Sequence, residues 1–350
     1  MAPVVNRRIL GLCAAQFTKP LGHHRTDPRA QRNELIGNTL AGLAVQGSGM
    51  RVIVIDDEST DRTAEVARAS GIEQLEVISG QPLPAGWSGK LWALEQGRTR
   101  VRTELVLLLD ADIVLAHGIL SALRTKLREE RLHLVSLLAH LGMATSWEKL
   151  LLPAFVYFFK LIYPFRLTNS SRSRVAAAAG GCILLRAQGL DGIGGFTAVK
   201  DAFIDDCALA SRIKTAGGRT WLGLTHCAHS QRRYTLANIW NMVARTAYTQ
   251  LRYSPLLLLA CTILMILYYL VPPAVLTLSH GVTRVLAASG CAMLALPYLP
   301  ILHYYRLSPL WALLLPFIAM LFLAMTWSSA LRYYRGERSR WKGRSYQRNV

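Results

Sequence analysis

Two carboxylates that follow a short apolar run could support metal chemistry. Residues 105–109 are all apolar and lead directly into Asp110 and Asp112. A run of this length suits a strand that is buried on both faces of a parallel sheet. Ligands of open α/β sheets bind beyond the carboxyl ends of such strands, where two carboxylates could hold a hard divalent cation that bridges a diphosphate. The alternative is a strand followed by an aspartate that caps a helix, and the motif alone leaves both interpretations open.

Two further acidic pairs stand at comparable positions. Asp56 and Asp57 follow the apolar segment 51–55, where a carboxylate could accept hydrogen bonds from a nucleobase or a ribose. Asp205 and Asp206 begin a predicted helix. They either cap that helix or supply a general base, because a carboxylate beside a second acid and near an apolar boundary can have a raised pKa.

Basic residues could supply the charges that a diphosphate needs. Lys90 follows a loop rich in proline and glycine and could neutralise a phosphate, or it is a solvated surface lysine. Arg233 and Tyr234 end the run 231–234, whose guanidinium groups suit a diphosphate leaving group. The alternative for this run is a basic patch beside a membrane.

The pattern around these residues predicts the scaffold that positions them. Apolar runs alternate with segments of helical periodicity, which indicates an α/β fold with a mostly parallel sheet. The predicted strands are residues 51–55, 75–78, 105–109, 131–139 and 182–185. The predicted helices are residues 33–46, 60–70, 90–98 and 205–214.

Composition and charge favour a membrane-associated protein. The chain has 350 residues, of which 52% are hydrophobic, and 40 Lys and Arg against 21 Asp and Glu give a net charge of +19. The basic residues lie largely beside apolar segments, which suits an anionic membrane surface, and no signature of nucleic-acid binding is present. The six cysteines have no paired spacing, which is typical of a reducing cytosolic side.

Several apolar segments follow the predicted α/β region. Residues 236–253 have the spacing of an interfacial amphipathic helix. Residues 255–278 and 309–331 are long enough to cross a bilayer, whereas residues 285–302 are interrupted by glycine and proline and are marginal. The basic tail should stay in the cytoplasm, which requires two crossings with a re-entrant middle segment, or an exception to the positive-inside rule.

In their order and spacing these motifs resemble the processive and membrane-bound inverting glycosyltransferases of family 2, which share the GT-A fold. The resemblance covers residues 32–235 and includes Asn33 and Glu34 beside the motifs above. The motif that usually reads Gln-x-x-Arg-Trp is Ser230-x-x-Arg233-Tyr234 here.

The resemblance implies a role for each acid. It assigns Asp56 and Asp57 to the uridine, Asp110 to the ribose and Asp112 to a metal on the diphosphate. It assigns Asp206 to deprotonation of the acceptor. Asp205 stands where the family usually has glutamate.

Longer segments resemble the hopene-associated glycosyltransferases of hopanoid-producing bacteria. These segments are residues 83–93, 148–155, 204–210 and 244–254. Such proteins usually begin with a membrane helix and a first strand that ends in Pro-Ala-Arg-Asn-Glu. Here the corresponding residues 28–34 follow a polar stretch, so the front of the chain departs from the family pattern.

The expected organisation combines these predictions. It comprises an atypical N-terminal segment, a GT-A (Rossmann-like) domain, an interfacial amphipathic helix, two or three transmembrane helices and a basic cytoplasmic tail. The corresponding residues are 1–31, 32–235, 236–254, 255–331 and 332–350. We expect a multi-pass protein of the bacterial cytoplasmic (inner) membrane whose catalytic domain faces the cytoplasm.

The expected activity is that of an inverting glycosyltransferase of the hexosyltransferase type. Its donor would be a UDP-sugar, its cofactor Mg²⁺ or Mn²⁺, and its acceptor a lipid such as a hopanoid. One alternative is a processive polysaccharide synthase, which would favour an intact Gln-x-x-Arg-Trp motif and more membrane spans. Another is a non-catalytic scaffold of a lipid-biosynthesis complex. Nucleic acid is not an expected partner, and the sequence does not indicate an oligomeric state.

Overall fold

The computed structural model describes most of the chain as two compact units. It describes residues 9–15, 28–56, 62–336, 340–341 and 344–345, with side chains over residues 34–56 and 62–336. The first unit comprises the described residues up to Gly142 together with Tyr163–Arg232. The second unit comprises Met143–Ile162 and the described residues from Arg233 onward.

An eight-stranded sheet forms the centre of the first unit. The strands, in chain order, are β1 (Ile9–Ala15), β2 (Arg51–Asp56), β3 (Leu75–Ser79), β4 (Leu105–Asp110), β5 (Ile113–Leu115), β6 (Leu134–His140), β7 (Cys182–Arg186) and β8 (Thr220–Ser230). Their order across the sheet is β3-β2-β1-β4-β7-β6-β8-β5. The strands β3, β2, β1 and β4 are mutually parallel, as are β6 and β8, whereas β7 and β5 run antiparallel to their neighbours. The sheet is therefore mostly parallel, as the sequence predicts.

Helices connect the strands and build the second unit. In the first unit they are α1 (Pro28–Ala44), α2 (Thr63–Arg68), α3 (Gly89–Arg98), α4 (Ile119–Glu129), α6 (Phe165–Thr168), α7 (Ala187–Gly192) and α8 (Asp205–Thr215), with a 3-10 turn at Gly195–Val199. In the second unit they are α5 (Ser146–Ile162), α9 (Leu236–Gln250), α10 (Pro255–Tyr269), α11 (Val271–Leu278), α12 (Gly281–Ala295), α13 (Leu299–Tyr304) and α14 (Leu315–Tyr334), with a 3-10 turn at Pro309–Leu314. Two short antiparallel strands, β9 (Arg340–Trp341) and β10 (Arg344–Ser345), follow α14.

Both faces of β4 are buried, as its apolar sequence predicts. Leu105, Leu107 and Leu109 belong to the hydrophobic cluster on one face of the sheet, and Val106 and Leu108 belong to the cluster on the other face. Alternation along a strand sends successive side chains to opposite faces, so helices must cover both. The two clusters hold β4 from both sides and fix the point at which Asp110 leaves the sheet.

The sheet begins earlier in the chain than the predicted boundary at residue 32. Ile9–Ala15, inside the segment 1–31, forms β1 and pairs in parallel with β2 on one side and β4 on the other. Its seven residues are apolar apart from Gly11 but include one β-branched residue, so pairing with two distant strands, more than local preference, makes it a strand. The N-terminal segment that looks atypical in sequence thus supplies a central strand.

The strands β5 and β8 are absent from the sequence prediction. β8 runs parallel to β6, and its end pairs with β5 so that Ser230 lies opposite Ile113. The second half of β8 alternates exposed and buried residues, which removes the continuous apolar run that identifies a buried strand. This pairing brings the residues that follow β8 next to those that follow β4.

Two apolar stretches of the second unit are long enough to cross a membrane by length and composition. They are Pro255–Leu278, formed by α10 and α11, and Pro309–Tyr334, which contains α14. The middle segment predicted at residues 285–302 is divided between α12 and α13, neither of which reaches that length. The first stretch is only 11% buried within the protein, so most of its apolar surface is uncovered.

Ser136 ties β6 to the segment that precedes β7. Its side chain is fully buried, and its hydroxyl donates to the carbonyl oxygen of Ala179 (3.0 Å) and accepts from the amide of Ala179 (2.8 Å). Two residues further on, the carbonyl oxygen of Gly181 accepts from the amide of Asp110 (3.0 Å). One serine thereby anchors the backbone that reaches the end of β4.

Ser136→Ala should destabilise the protein by about 2 kcal/mol, because two backbone groups of Ala179 lose their partner at once. We expect the midpoint of thermal unfolding of the purified protein to fall by roughly 4–8 °C. Ser121→Ala, at an exposed position on α4, is the matched control and should change stability by less than about 0.5 kcal/mol. Equal midpoints for the two variants would contradict this role of Ser136.

Candidate active site

The acidic residues predicted at strand ends lie at one edge of the sheet. β2 ends at Asp56 and β4 ends at Asp110, and both strands run parallel to β1 between them. In the register, Asp110 pairs with Ala14 and Asp56 with Ala15, so the two carboxylates leave the sheet at nearly the same level. Asp112 lies in the short turn between β4 and β5. This edge is where ligands of open α/β sheets bind.

Lys90 joins acids from two separate parts of the chain. Its ammonium nitrogen lies 2.9 Å from Oδ1 of Asp110 and 3.8 Å from Oδ2 of Asp205. Lys90 occupies the first turn of α3, whose N-terminus is capped by the hydroxyl of Ser88. Only 20% of its side chain is exposed, so it differs from the solvated surface lysine considered above. Burial alone would lower the pKa of Lys90, but Asp110 and Asp205 outweigh it and raise the pKa.

Asp206 has the surroundings of a proton acceptor. Its Oδ2 accepts a hydrogen bond from the amide of Gly180 (2.7 Å), and its Oδ1 accepts one from the amide of Cys207 (2.7 Å). Burial raises the pKa of Asp206 to about 6, and repulsion from Asp205 adds to this, while Lys90 and the two amides act in the opposite direction. A carboxyl group with this pKa is largely ionised at neutral pH and still accepts a proton more readily than an ordinary aspartate.

The N-cap position of the helix that carries the late acidic pair is Ile204, which makes no side-chain capping bond. Asp205 and Asp206 stand in the first turn of α8, and there Asp206 accepts a hydrogen bond from the amide of Cys207. Carboxylates in the first turn still interact favourably with the helix dipole.

Gly180 is required by the close approach of its backbone to this cluster. A Cβ atom at this position would lie 3.0 Å from Nζ of Lys90 and 3.2 Å from Oδ2 of Asp206. The absence of a side chain lets the amide reach the carboxylate. Gly180 lines a pocket together with Lys90, Asp110, Asp205 and Asp206. The remaining lining of that pocket is largely apolar: Leu91, Leu94, Leu108, Leu109, Ile183, Phe196 and Leu209.

Asp112 is held by the segment that follows β8. Its Oδ2 accepts a hydrogen bond from the hydroxyl of Ser230 (2.7 Å), and its Oδ1 lies 3.3 Å from Nη2 of Arg232. The amide of Gln231 donates to the carbonyl oxygen of Asp112 (2.9 Å). Sequence reasoning singled out Arg233 in this run and missed the contacts of Ser230 and Arg232. The spacing of the run offered a signal, but only the pairing of β5 with β8 shows which side chains reach Asp112.

Glu34 and Asp56, which the sequence also predicts, are not among the residues that line this pocket. Glu34 is exposed on α1. The carbonyl oxygen of Asp56 accepts a hydrogen bond from the amide of Gly80 (2.7 Å), which fixes the end of β2. The side chain of Asn33 and the whole of Asp57 lie outside the described residues.

Arg233 and Tyr234 belong to the second unit. There the amide of Tyr234 donates to Oε1 of Glu148 (2.7 Å). Glu148 is fully buried, and its Oε2 also accepts from the amides of Ala144 (2.9 Å) and Thr145 (2.8 Å). Thr145 and Glu148 thus form a capping box at the start of α5, and the same carboxylate fixes the backbone at Tyr234.

The donors near the end of β4 fit a divalent cation that is shared with a substrate. Asp110 and Asp112 offer the hard oxygen ligands that Mg²⁺ and Mn²⁺ prefer. Among the residues that the structure describes, no group of three or more His, Cys, Asp or Glu could hold a metal by itself. Mg²⁺ commonly uses one or two carboxylates and takes its other ligands from substrate phosphates and water. The donor set therefore suits a cation that binds with a diphosphate rather than a permanently enclosed metal.

Comparison with known proteins relates this architecture to glycosyltransferases. Over 86 residues the chain is 35% identical to 4,4'-diaponeurosporenoate glycosyltransferase of Staphylococcus aureus; the match covers 25% of this chain and about a fifth (22%) of the relative's length. A mannosyltransferase from Pyrobaculum calidifontis, solved in complex with GDP-Man and Mn²⁺, has a TM-score of 0.56 at 16% identity, over 95% of this chain and 88% of that chain. Glucosyl-3-phosphoglycerate synthase from Mycobacterium tuberculosis, solved with Mn²⁺, UDP and phosphoglyceric acid, has a TM-score of 0.46 at 17% identity, over 70% and 78% of the two chains.

The likeness to the mannosyltransferase shows an α/β glycosyltransferase fold. The model of Glycosyl transferase family 21 matches residues 73–349, which is well over half of the chain. The acidic motifs resemble family 2, whereas the matching family is family 21. The chain is a glycosyltransferase and belongs to Glycosyl transferase family 21.

Proposed function

We propose that this glycosyltransferase transfers a single sugar, with inversion, from a nucleotide sugar to a hydroxyl group of a membrane lipid. The observation that carries the proposal is Asp206, a carboxylate of raised pKa in a pocket that also contains Lys90 and Asp110. A UDP-sugar is the first donor to test because of the resemblance to family 2. The mannosyltransferase of similar fold was solved with GDP-Man and Mn²⁺, which supports a nucleotide donor and a divalent cation and brings GDP-sugars into the test.

In the proposed reaction Asp206 acts as general base. It takes the proton of the acceptor hydroxyl as the hydroxyl oxygen attacks the anomeric carbon, and the bond from that carbon to the diphosphate breaks on the opposite face. The nucleoside diphosphate leaves with the electron pair of the broken bond, and the proton passes from Asp206 to solvent. Lys90 supplies a fixed positive charge to the pocket in which negative charge develops.

The other acids divide donor binding between them in this proposal. Asp112, with Asp110, would hold Mg²⁺ or Mn²⁺, which when bound neutralises charge on the departing diphosphate. Asp110 also contacts the ribose, and Asp56 and Asp57 contact the nucleobase. Asn33, Glu34, Arg233 and Tyr234 remain predicted donor contacts.

The acceptor is proposed to be a lipid because of the second unit. Its two long apolar stretches leave large side chains exposed, among them Leu256, Leu264 and Leu267. α9 presents an amphipathic sequence directly before them. We infer a multi-pass protein of the bacterial cytoplasmic membrane with its catalytic domain on the cytoplasmic side. A hopanoid is the acceptor suggested by the resemblance to hopene-associated enzymes, and the Staphylococcus aureus relative is named for 4,4'-diaponeurosporenoate.

A tyrosine cluster supports an even number of crossings. The hydroxyl of Tyr248, near the end of α9, lies 3.0 Å from the carbonyl oxygen of Tyr253 and 3.0 Å from the hydroxyl of Tyr334. The ring of Tyr253 stacks on that of Tyr333, with centroids 4.6 Å apart. The start of α10 and the end of α14 thus lie at one level, and tyrosine is typical of the membrane interface. We infer that the basic tail lies on the side from which the chain enters the membrane.

The activity test uses purified full-length protein in lipid extract with a panel of UDP- and GDP-sugars, with and without Mn²⁺. We expect nucleoside diphosphate release with at least one donor and a lipid product that carries one sugar, identified by mass spectrometry. Asp206→Asn should lower kcat by about 10²–10⁴-fold, and Asp112→Asn by about 10²-fold or more.

Asp191→Asn is the matched control for these variants. Asp191 forms an exposed ion pair with Arg98 outside the proposed site, so activity should stay within about twofold of the original. Full activity of Asp206→Asn, or folded protein that turns over none of the donors, would exclude the proposed function. A polymeric product would favour a polysaccharide synthase, and retained cellular function of both inactive variants would favour a scaffold.

The pH dependence should report the protonation of Asp206. The base must be ionised to accept a proton, so kcat/KM should be constant above about pH 6 and fall about tenfold per unit well below it. Lys90→Met removes a charge that lowers the pKa of Asp206, so the midpoint should move to higher pH in that variant. A profile that is flat through this range, or an unchanged midpoint in Lys90→Met, would contradict the assignment of Asp206.

The inferred topology can be tested by thiol labelling in a variant without the native cysteines. We expect a membrane-impermeant maleimide to label His280→Cys, in the exposed turn after α11, in intact spheroplasts. Ser345→Cys, in the basic tail, should be labelled only after permeabilisation. Labelling of both positions in intact spheroplasts would show an odd number of crossings.

A further inference from the structure

Both oxygens of the Asp112 carboxylate are engaged by residues of one short segment. Ser230 donates to Oδ2 at 2.7 Å, and the guanidinium of Arg232 lies 3.3 Å from Oδ1. Only 10% of the Asp112 side chain is exposed, whereas half of the Arg232 side chain is exposed. The buried Asp112 carboxylate is therefore contacted by a positively charged side chain that is itself half exposed to solvent.

The two contacts differ in kind. The Ser230 hydroxyl is buried, uncharged and at the usual hydrogen-bond distance, so it can remain in place when another group binds Asp112. The distance from Arg232 Nη2 to Oδ1 of Asp112 is 3.3 Å, longer than the 2.7–2.9 Å typical of charge-assisted hydrogen bonds. A divalent cation that approached Oδ1 would also be repelled by the guanidinium. Arg232 thus stabilises Asp112 and opposes a cation there.

The backbone around Arg232 is fixed, so only its side chain needs to move. The amide of Arg232 donates to the hydroxyl of Ser230 (3.2 Å), and the amide of Gln231 donates to the carbonyl oxygen of Asp112 (2.9 Å). The side-chain oxygen of Gln231 accepts a hydrogen bond from the side-chain amide (Nδ2) of Asn38 on α1 (2.7 Å). With the backbone held in this way, the guanidinium of Arg232 can move from the Asp112 carboxylate to a diphosphate. A guanidinium can bind a phosphate group through two parallel hydrogen bonds.

We propose that Arg232 couples cation binding to donor binding. In the nucleotide-free protein its guanidinium neutralises Asp112 and keeps the affinity for a divalent cation low. When a nucleoside diphosphate arrives with the cation, Arg232 moves onto the diphosphate and leaves Oδ1 to the cation. This inference rests on the proposed function and deepens it by giving Arg232, one of the two arginines in the run 231–234, a positioning role at Asp112.

The proposal predicts opposite effects of one substitution in two measurements. Without Arg232, Mn²⁺ alone should bind more tightly, because Asp112 keeps its charge and loses its competitor. In the presence of Mn²⁺, UDP should bind more weakly, because a charge-assisted contact to the diphosphate is lost. The factor by which UDP strengthens Mn²⁺ binding should therefore shrink, and by linkage so should the reciprocal factor.

The experiment measures the free Mn²⁺ signal by electron paramagnetic resonance during titration of the full-length protein in detergent, with and without UDP. For Arg232→Gln we expect Mn²⁺ alone to bind at least about fivefold more tightly. UDP in the presence of Mn²⁺ should bind roughly tenfold more weakly. Arg128→Gln is the matched control, because Arg128 is exposed in the last turn of α4, outside the proposed site. It should leave both affinities unchanged.

A second variant separates this coupling from a mere loosening of Asp112. Ser230→Ala removes the neutral donor and should weaken Mn²⁺ binding both with and without UDP, opposite in sign to Arg232→Gln for Mn²⁺ alone. Arg232→Lys keeps the charge without the planar fork and should restore the low affinity for Mn²⁺ alone, but only part of the UDP affinity.

The possible failures can be distinguished. If UDP strengthens Mn²⁺ binding equally in the original protein and in Arg232→Gln, the coupling by Arg232 is overturned and the proposed function stands. Weaker binding of Mn²⁺ alone by Arg232→Gln also overturns it, because Arg232 would then only support Asp112. If no variant binds Mn²⁺ with or without UDP, the inference falls together with the metal-dependent part of the proposed function.

Discussion

The enclosed ammonium group of Lys90 is the interaction on which the candidate site depends. It compensates the negative charge of carboxylates from two elements that are distant in sequence, namely the end of β4 and the start of α8. Without that charge, Asp110, Asp205 and Asp206 would repel one another in a partly buried pocket. Lys90 lowers the pKa of Asp206 while burial raises it, and the balance leaves that pKa at about 6.

Two basic side chains, Lys90 and Arg232, contact different acids at this edge of the sheet. Lys90 is mostly enclosed and lies 2.9 Å from Asp110, whereas Arg232 is half exposed and lies 3.3 Å from Asp112. Lys90 is part of the pocket lining, whereas Arg232 contacts Asp112 from a half-exposed position. Neighbouring acids in an Asp-x-Asp motif therefore have different electrostatic surroundings, although the sequence presents them as a pair.

The parts of the fold that sequence predicts well are those with a local signal. β2 and β4 are continuous apolar runs, so burial on both faces requires no knowledge of their partners. β1 is apolar apart from Gly11 but has one β-branched residue, and β8 contains polar residues in its second half; both become strands through pairing with distant segments. The same division applies to the site. The acids at strand ends can be recognised from the sequence, because each follows an apolar run. The contact between Arg232 and Asp112 cannot, because it depends on the pairing of β5 with β8. Without that pairing, the sequence does not show which of the neighbouring arginines, Arg232 or Arg233, contacts Asp112.

The course of the chain between the two units has a practical consequence. The chain leaves the first unit after Gly142, forms α5 in the second unit and returns at Tyr163 before it leaves again after Arg232. α5 is strongly apolar and packs against α13 and α14, where Tyr157 contacts Tyr298 and Phe158 contacts Phe322. A fragment cut at residue 232 would retain α5 and expose those aromatic faces to water. Isolation of the first unit therefore requires two deletions, one of residues 143–162, replaced by a polar linker, and one of the residues after 232.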